Sequence, residues 1–226
     1  MSWGRWPILQ IALDMPSMEK ALKIAGEIAK LKRIWLEVGT PLVISEGMGP
    51  VKRLRKLFPK AIIVADIKII DAGRLESSIA IEAGANLVTV AGSAGSETIS
   101  EVIETCHRNS VKAAIDLGDA YNPIKAAEQA ISLGIDMLIH HVGYDKQARG
   151  IRAVSNLNLI RRLSQIASEV PVAAAGGIRV EEVSGLLKAG VKVVIVGRFI
   201  TETANPSQAA RQFLKAMESY AEGGRF

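Results

Sequence analysis

The sequence predicts an α/β fold, a single (β/α)8 barrel, and three observations carry that prediction. Short runs rich in β-branched residues recur along the 226 residues, an amphipathic stretch follows each, and no linker interrupts the series. Aromatic residues are only 4% of a chain that is 49% hydrophobic, a composition suited to close-packed helices over a buried sheet and not to an all-β sandwich. The units number eight, whereas a doubly wound open sheet is complete with five or six strands and leaves the rest unplaced.

The units follow in order. ILQIALD (8–14) is the first strand, followed by the helical stretch MEKALKIAGEIAKL, and IWLEV (34–38) is the second, followed by GPVKRLRKLF. AIIVADIK (61–68) precedes RLESSIAIEAG, and NLVTVAG (86–92) precedes SETISEVIETCHR. VKAAIDL (111–117) leads to PIKAAEQAISLG, and DMLIHH (136–141) leads to LNLIRRLSQIASE. VPVAAAGG (170–177) with VEEVSGLLKAG and VKVVIVG (191–197) with PSQAARQFLKAMESY complete the set. Each helical stretch repeats apolar residues at spacings of three and four, the stripe a helix needs to pack on a sheet. Three junctions, EAGANLVTV, SLGIDMLIH and KAGVKVVIV, are near copies in which Gly84, Gly134 and Gly190 end a helix, where left-handed dihedrals penalise a Cβ. One domain over residues 1–226 is expected, with its core at about 8–218, a short N-terminal extension and a flexible C-terminal tail.

Composition narrows the setting. The 28 Lys+Arg and 23 Asp+Glu give a formal net charge of +5, yet the basic residues are interspersed with acids and lack aromatic stacking partners, so no nucleic-acid partner is expected. Cys106 is the lone cysteine, which excludes an intrachain disulfide and a multi-cysteine zinc site. The start MSWGRWPI lacks the regions of a signal peptide, and no apolar run approaches the roughly 20 residues of a membrane span. A cytoplasmic protein without a membrane partner is the expectation.

In a barrel of this type the chemistry sits at the C-terminal ends of the strands. Charged groups stand there after apolar runs: Asp14 ends the first strand, Glu37 lies in the second, Asp66 and Lys68 lie in the third with Asp71 just beyond, and His140 and His141 end the sixth. Alternation puts Asp66 and Lys68 on one face of an otherwise apolar strand, and buried charges there require partners or a metal. His140 has the parity opposite to His141 and points toward the helices. His107 reads as a surface or capping residue and Cys106 as a core thiol. Gly176 and Gly177 close strand seven, and Gly197 with Arg198 closes strand eight. Glycines there let backbone N–H groups approach an anion that Arg198 can fork onto, so a phosphate ester is the expected substrate.

The segments LD at Asp14, EVGTPL from Glu37, D-x-K-x-x-D-A-G from Asp66 to Gly73, HVGYDKQ from His141 to Gln147, AGGI and VGRFIT together resemble the orotidine 5'-phosphate decarboxylase superfamily over residues 8 to 218. Within it the chain looks closest to the 3-hexulose-6-phosphate synthase branch, aldolases that join formaldehyde to ribulose 5-phosphate. Glu37 stands where the orotidine-type decarboxylases carry Lys, and Asp71-Ala72-Gly73 replaces their D-I-P-N. The resemblance implies Mg²⁺ held by Glu37 and Asp66, as suits an ion that keeps most positions for water and substrate oxygens. It further implies Asp14 and Lys68 on substrate hydroxyls, His141 moving protons, and Asp71 reaching across the interface of a homodimer with shared active sites. Val142, Gly143 and Tyr144 resemble the aldolases, whereas Arg198 resembles the 3-keto-L-gulonate-6-phosphate decarboxylases, which leaves that decarboxylation as the alternative activity. A phospho-ligand-binding barrel without turnover is the third reading.

Overall fold

The computed structural model describes residues 7–222. The outermost parts of the expected N-terminal extension and flexible C-terminal tail, residues 1–6 and 223–226, lie outside the described residues. Eight strands form the sheet: β1 (Ile8–Leu13), β2 (Ile34–Val38), β3 (Ile62–Ile69), β4 (Leu87–Ala91), β5 (Lys112–Asp116), β6 (Met137–His141), β7 (Val172–Ala175) and β8 (Val191–Val196). Each pairs in parallel with the next, and β8 pairs with β1, so the sheet closes into the expected barrel.

Helices follow each strand where the apolar stripes place them, from Met18–Ile28 after β1 to Pro206–Glu222 after β8. Ser17 Oγ accepts from Lys20 N at 3.4 Å and Asn122 Oδ1 from Lys125 N at 3.1 Å, satisfying amides that open two of these helices. Gly84, Gly134 and Gly190 have φ of +100°, +92° and +102°, the left-handed geometry expected of them. Three short helices went unanticipated: Thr40–Glu46, Tyr144–Ala148 and Arg198–Thr201. They span seven, five and four residues, too few for a periodic stripe to be legible. All three leave the C-terminal ends of strands.

Two packing zones follow from strand alternation. Leu9, Ile11, Leu13, Leu36 and Val38 face outward and are buried beneath the helices. Ile8, Trp35, Val64, Leu87, Met137 and Val193 fill the barrel interior. That apolar plug ends partway up the barrel on β1 to β5, where the next inward positions, Gln10, Glu37, Asp66, Thr89 and Asp116, are polar. Among the described residues no helix is long and apolar enough to cross a membrane.

Candidate active site

Above the plug, residues from all eight strands line a cavity of about 570 Å³, and six of those strands contribute polar groups. Ala12 pairs with Glu37 and Glu37 with Val64 in register, so Asp14, Glu37 and Asp66 crown three adjacent strands. Glu37 and Asp66 are buried at 6% and 7% exposure, while Asp14 opens onto the cavity mouth.

The third strand departs from plain alternation. Between Ala65 and Ile69 it takes four steps while β4 takes two, from Val88 to Val90, which is a bulge. Lys68 sits in that bulge with φ +48°, a left-handed backbone that costs a non-glycine residue strain. Its backbone N–H donates to Thr89 Oγ1 at 2.9 Å, which holds the bend. Asp66 and Lys68 therefore meet as expected, but through the bulge and not through simple parity. Lys68 Nζ pairs with Asp66 Oδ2, donates to Thr40 Oγ1 at 3.0 Å and lies 3.7 Å from Asp116 Oδ2. Thr40 Oγ1 donates to Asp66 at 3.1 Å, and Thr89 Oγ1 donates to the other carboxylate oxygen at 2.8 Å.

Asp116 extends the network. It ends β5, accepts from Gly118 N at 2.9 Å and lies 2.8 Å from His141 Nδ1. Gly118 permits this close approach, since a Cβ there would stand 3.1 Å from Asp116 Oδ1 and 3.2 Å from His141 Cβ. Burial disfavours the charged imidazole, yet the hydrogen bond and charge of Asp116 prevail and raise His141 above the usual histidine value. The same bond holds Asp116 below the usual carboxylate value against its burial. Lys68 is likewise raised, burial being outweighed by Asp66 and Asp116. On the other wall, burial and then the neighbouring Asp66 raise Asp14 and push Glu37 well up. Gln10 Nε2 donates to Glu37 Oε2 at 2.5 Å.

These carboxylates outnumber the cations facing them, and Glu37 bears the consequence. Glu37 and Asp66 offer hard oxygen donors on adjacent strands, and the buried Gln10 Oε1 beside them has no protein partner. Among the described residues no set of three acidic, His or Cys groups forms a full cage. An ion that dehydrates reluctantly, such as Mg²⁺, fits a two-carboxylate site of this kind.

Glycine loops and a guanidinium complete the cavity wall. Gly176 and Gly177 have φ of +112° and +66°, and a Cβ on Gly176 would lie 2.4 Å from Val142 O. Gly197 precedes Arg198, whose guanidinium lies 4.8 Å from the Tyr144 ring centroid and bonds Gln147 at 3.1 Å.

Of the sequence-predicted residues, Asp14, Glu37, Asp66, Lys68, His141, Gly176, Gly177, Gly197 and Arg198 line one cavity. Asp71 does not. It is exposed beyond β3 and its Oδ1 accepts from Ala72 N at 2.8 Å. His140 is buried at 7% exposure, and burial lowers it. Cys106 is buried in the core, and His107 is exposed and bonds Asp136 at 2.8 Å. Sequence reasoning passed over Gln10, Thr40, Thr89 and Asp116. For Gln10, Thr89 and Asp116 the signal was the one that exposed Glu37, a polar residue at an inward position of an apolar strand.

Comparison with known proteins places this geometry among relatives. Residues 7–213 match the model of the orotidine 5'-phosphate decarboxylase / HUMPS family. The chain is 35% identical to the 3-hexulose-6-phosphate synthase of Mycobacterium gastri, over 92% of this chain and 99% of that protein. It is 33% identical to the enzyme of that name from Bacillus subtilis (strain 168), over 89% and 94%. Among solved structures, a 3-hexulose-6-phosphate synthase superposes with TM-score 0.87 at 34% identity, covering 93% of this chain and 99% of the other. The KGPDC of Streptococcus mutans in complex with D-R5P superposes with TM-score 0.89 at 28% identity, covering 96% and 99%. This chain belongs to the orotidine 5'-phosphate decarboxylase / HUMPS family.

Proposed function

We propose that this enzyme is a Mg²⁺-dependent aldolase that condenses formaldehyde with ribulose 5-phosphate to 3-hexulose 6-phosphate, or runs the reverse cleavage, in the cytoplasm. The observation that carries the reading is one cavity lined both by the Lys68–Asp66 and Asp116–His141 pairs and by Gly176, Gly177, Gly197 and Arg198. The relatives named 3-hexulose-6-phosphate synthase support it.

The glycines and Arg198 form an anion site that fixes the phosphate, which carries the sugar's reacting carbons toward the carboxylates. Lys68 and Asp14 bind its hydroxyls. With Nδ1 bound to Asp116, His141 has Nε2 as the ring nitrogen for chemistry, and it takes the proton from C1. The C1–H electron pair becomes that of an enediolate. C1 then bonds to the formaldehyde carbon, the carbonyl π pair moves onto its oxygen, and His141 returns a proton there. Glu37 and Asp66 would hold Mg²⁺, which supplies a positive charge beside the sugar oxygens.

A homodimer with shared sites completes the proposal. Asp71 stands outside its own cavity, near the exposed Ile70 (54%) and the exposed Leu75 (63%) and Ile79 (46%) of the next helix. Exposed aliphatics of that density suit a subunit interface. Arg198 favours a second reading, decarboxylation of 3-keto-L-gulonate 6-phosphate at the same site.

The deciding experiment incubates the protein with ribulose 5-phosphate, formaldehyde and Mg²⁺ and follows formaldehyde. Its loss should require all three, stop with EDTA and resume with Mg²⁺. Full activity after exhaustive chelation would remove the metal role. Stable formaldehyde together with CO2 release from 3-keto-L-gulonate 6-phosphate would move the enzyme to the second reading, and neither reaction would overturn both.

A further inference from the structure

The anion site contains a contact that the reaction does not account for. Gln147 lies on the short helix Tyr144–Ala148, three residues from Tyr144, so both side chains reach the same side of it. Its amide is committed at both ends: Nε2 donates to Val142 O at 2.8 Å, and Oε1 accepts from Arg198 Nη2 at 3.1 Å. The Val142 carbonyl needs a donor and the guanidinium an acceptor, so only one orientation of the amide satisfies both. Val142 is itself fixed, its N–H donating to Ala175 O at 2.9 Å. The chain of contacts thus runs from the end of β7, through Val142 and Gln147, to the guanidinium of an exposed residue. Tyr144 supports its face.

We propose that Gln147 is a positioning residue that holds Arg198 ready for an anionic group of the substrate. The proposal rests on the reading of Arg198 as a phosphate ligand and deepens it. A neutral amide suits the task for an electrostatic reason. A carboxylate at this position would grip the guanidinium harder, but it would cancel the charge that the substrate phosphate is to meet. An amide fixes Arg198 and leaves that charge intact.

The test is a double-mutant cycle with inorganic phosphate as the probe, read by calorimetry on the full chain. Gln147→Leu, close in volume but unable to hydrogen-bond, should weaken phosphate binding by about 3- to 10-fold. Arg198→Ala should weaken it at least as much, and adding Gln147→Leu to Arg198→Ala should change it by less than about twofold. Gln147→Glu should weaken binding despite restoring an acceptor for Arg198. A residue with a merely structural role would give the same loss with or without Arg198. Such additivity, an unchanged affinity in Gln147→Leu, or tighter binding in Gln147→Glu would overturn the proposal. Since the probe is phosphate itself, failure of the aldolase assay leaves this result readable. Arg198→Ala without effect on phosphate would overturn the phosphate ligand and its clamp together.

Discussion

The carboxylate of Asp14 lies close over Gly39, and a single methyl group there should displace it. A Cβ built on Gly39 stands 1.8 Å from Asp14 Oδ1 and 3.0 Å from Cγ, while one on Gly197 would stand 3.1 Å from Oδ2. Ordinary contact begins near 3.4 Å, so in Gly39→Ala the carboxylate must retreat by about 1.6 Å. The backbone accepts the change, because Gly39 has φ −74° and ψ 161°, values open to alanine. Gly39 is also the N-cap of Thr40–Glu46, where alanine is the poorer cap by roughly 0.5–1 kcal/mol, partly offset by the reduced entropy of the unfolded chain. The melting temperature should therefore fall by no more than about 4 °C. A misplacement of that size in a group that orients substrate typically costs about 100-fold, near 2.7 kcal/mol of transition-state stabilisation. Formaldehyde consumption by Gly39→Ala, Asp14→Ala and the double variant measures it, and the double variant should be no worse than Asp14→Ala alone. A folded Gly39→Ala enzyme retaining more than about a third of its activity would refute the role assigned to the position of Asp14.

Three further outcomes are expected. Asp116→Asn removes the group that raises His141, so the histidine falls back toward about 6.5 and the acidic limb of the kcat/KM profile moves to lower pH. The stability difference from the parent should be widest between about pH 4 and 6.5, where Asp116 is charged and His141 protonated, and should narrow as pH rises through the elevated His141 value; a flat difference in a pH series of melts would contradict the pairing. Mixing inactive Asp71→Ala and His141→Ala chains under subunit exchange should regenerate one native site per mixed dimer, whereas no recovery with exchange verified would rule out shared sites. Burial pushes the Cys106 thiol up to about 12, so iodoacetamide at pH 7.5 should label it only after unfolding in urea; rapid labelling of the native protein would contradict its burial.

The barrel was legible because its signal is repeated: eight strands and the glycines before three of them each report the same architecture. Glu37 and Asp66 were legible for a related reason, since a charge inside an apolar strand conflicts with local burial. Thr40 opens a seven-residue helix that periodicity does not reveal, and its hydroxyl matters only through Lys68 and Asp66, residues far from it in sequence. The bulge at Lys68 was likewise hidden, because the cost of its left-handed backbone is met by Thr89 on another strand. Asp116 differs from both: it ends β5 much as Asp14 follows β1, and strand-end charge alone would have marked it.

Closure of β8 onto β1 also bears on how such an enzyme can change over generations. Of the residues lining the cavity, those from Gln10 to His141 include Asp14, Glu37, Asp66, Lys68, Asp116 and His141, and those from Tyr144 to Glu202 include the glycine loops and Arg198. Inheritance can therefore revise one stretch of the lining while the other is kept. The two stretches touch where Gly197, at the end of the last strand, faces the carboxylate of Asp14 after the first. Drift in the later stretch is tolerable until it adds bulk at that seam, where a single carbon on Gly197 would pass a change in the last loop directly to the carboxylate of Asp14.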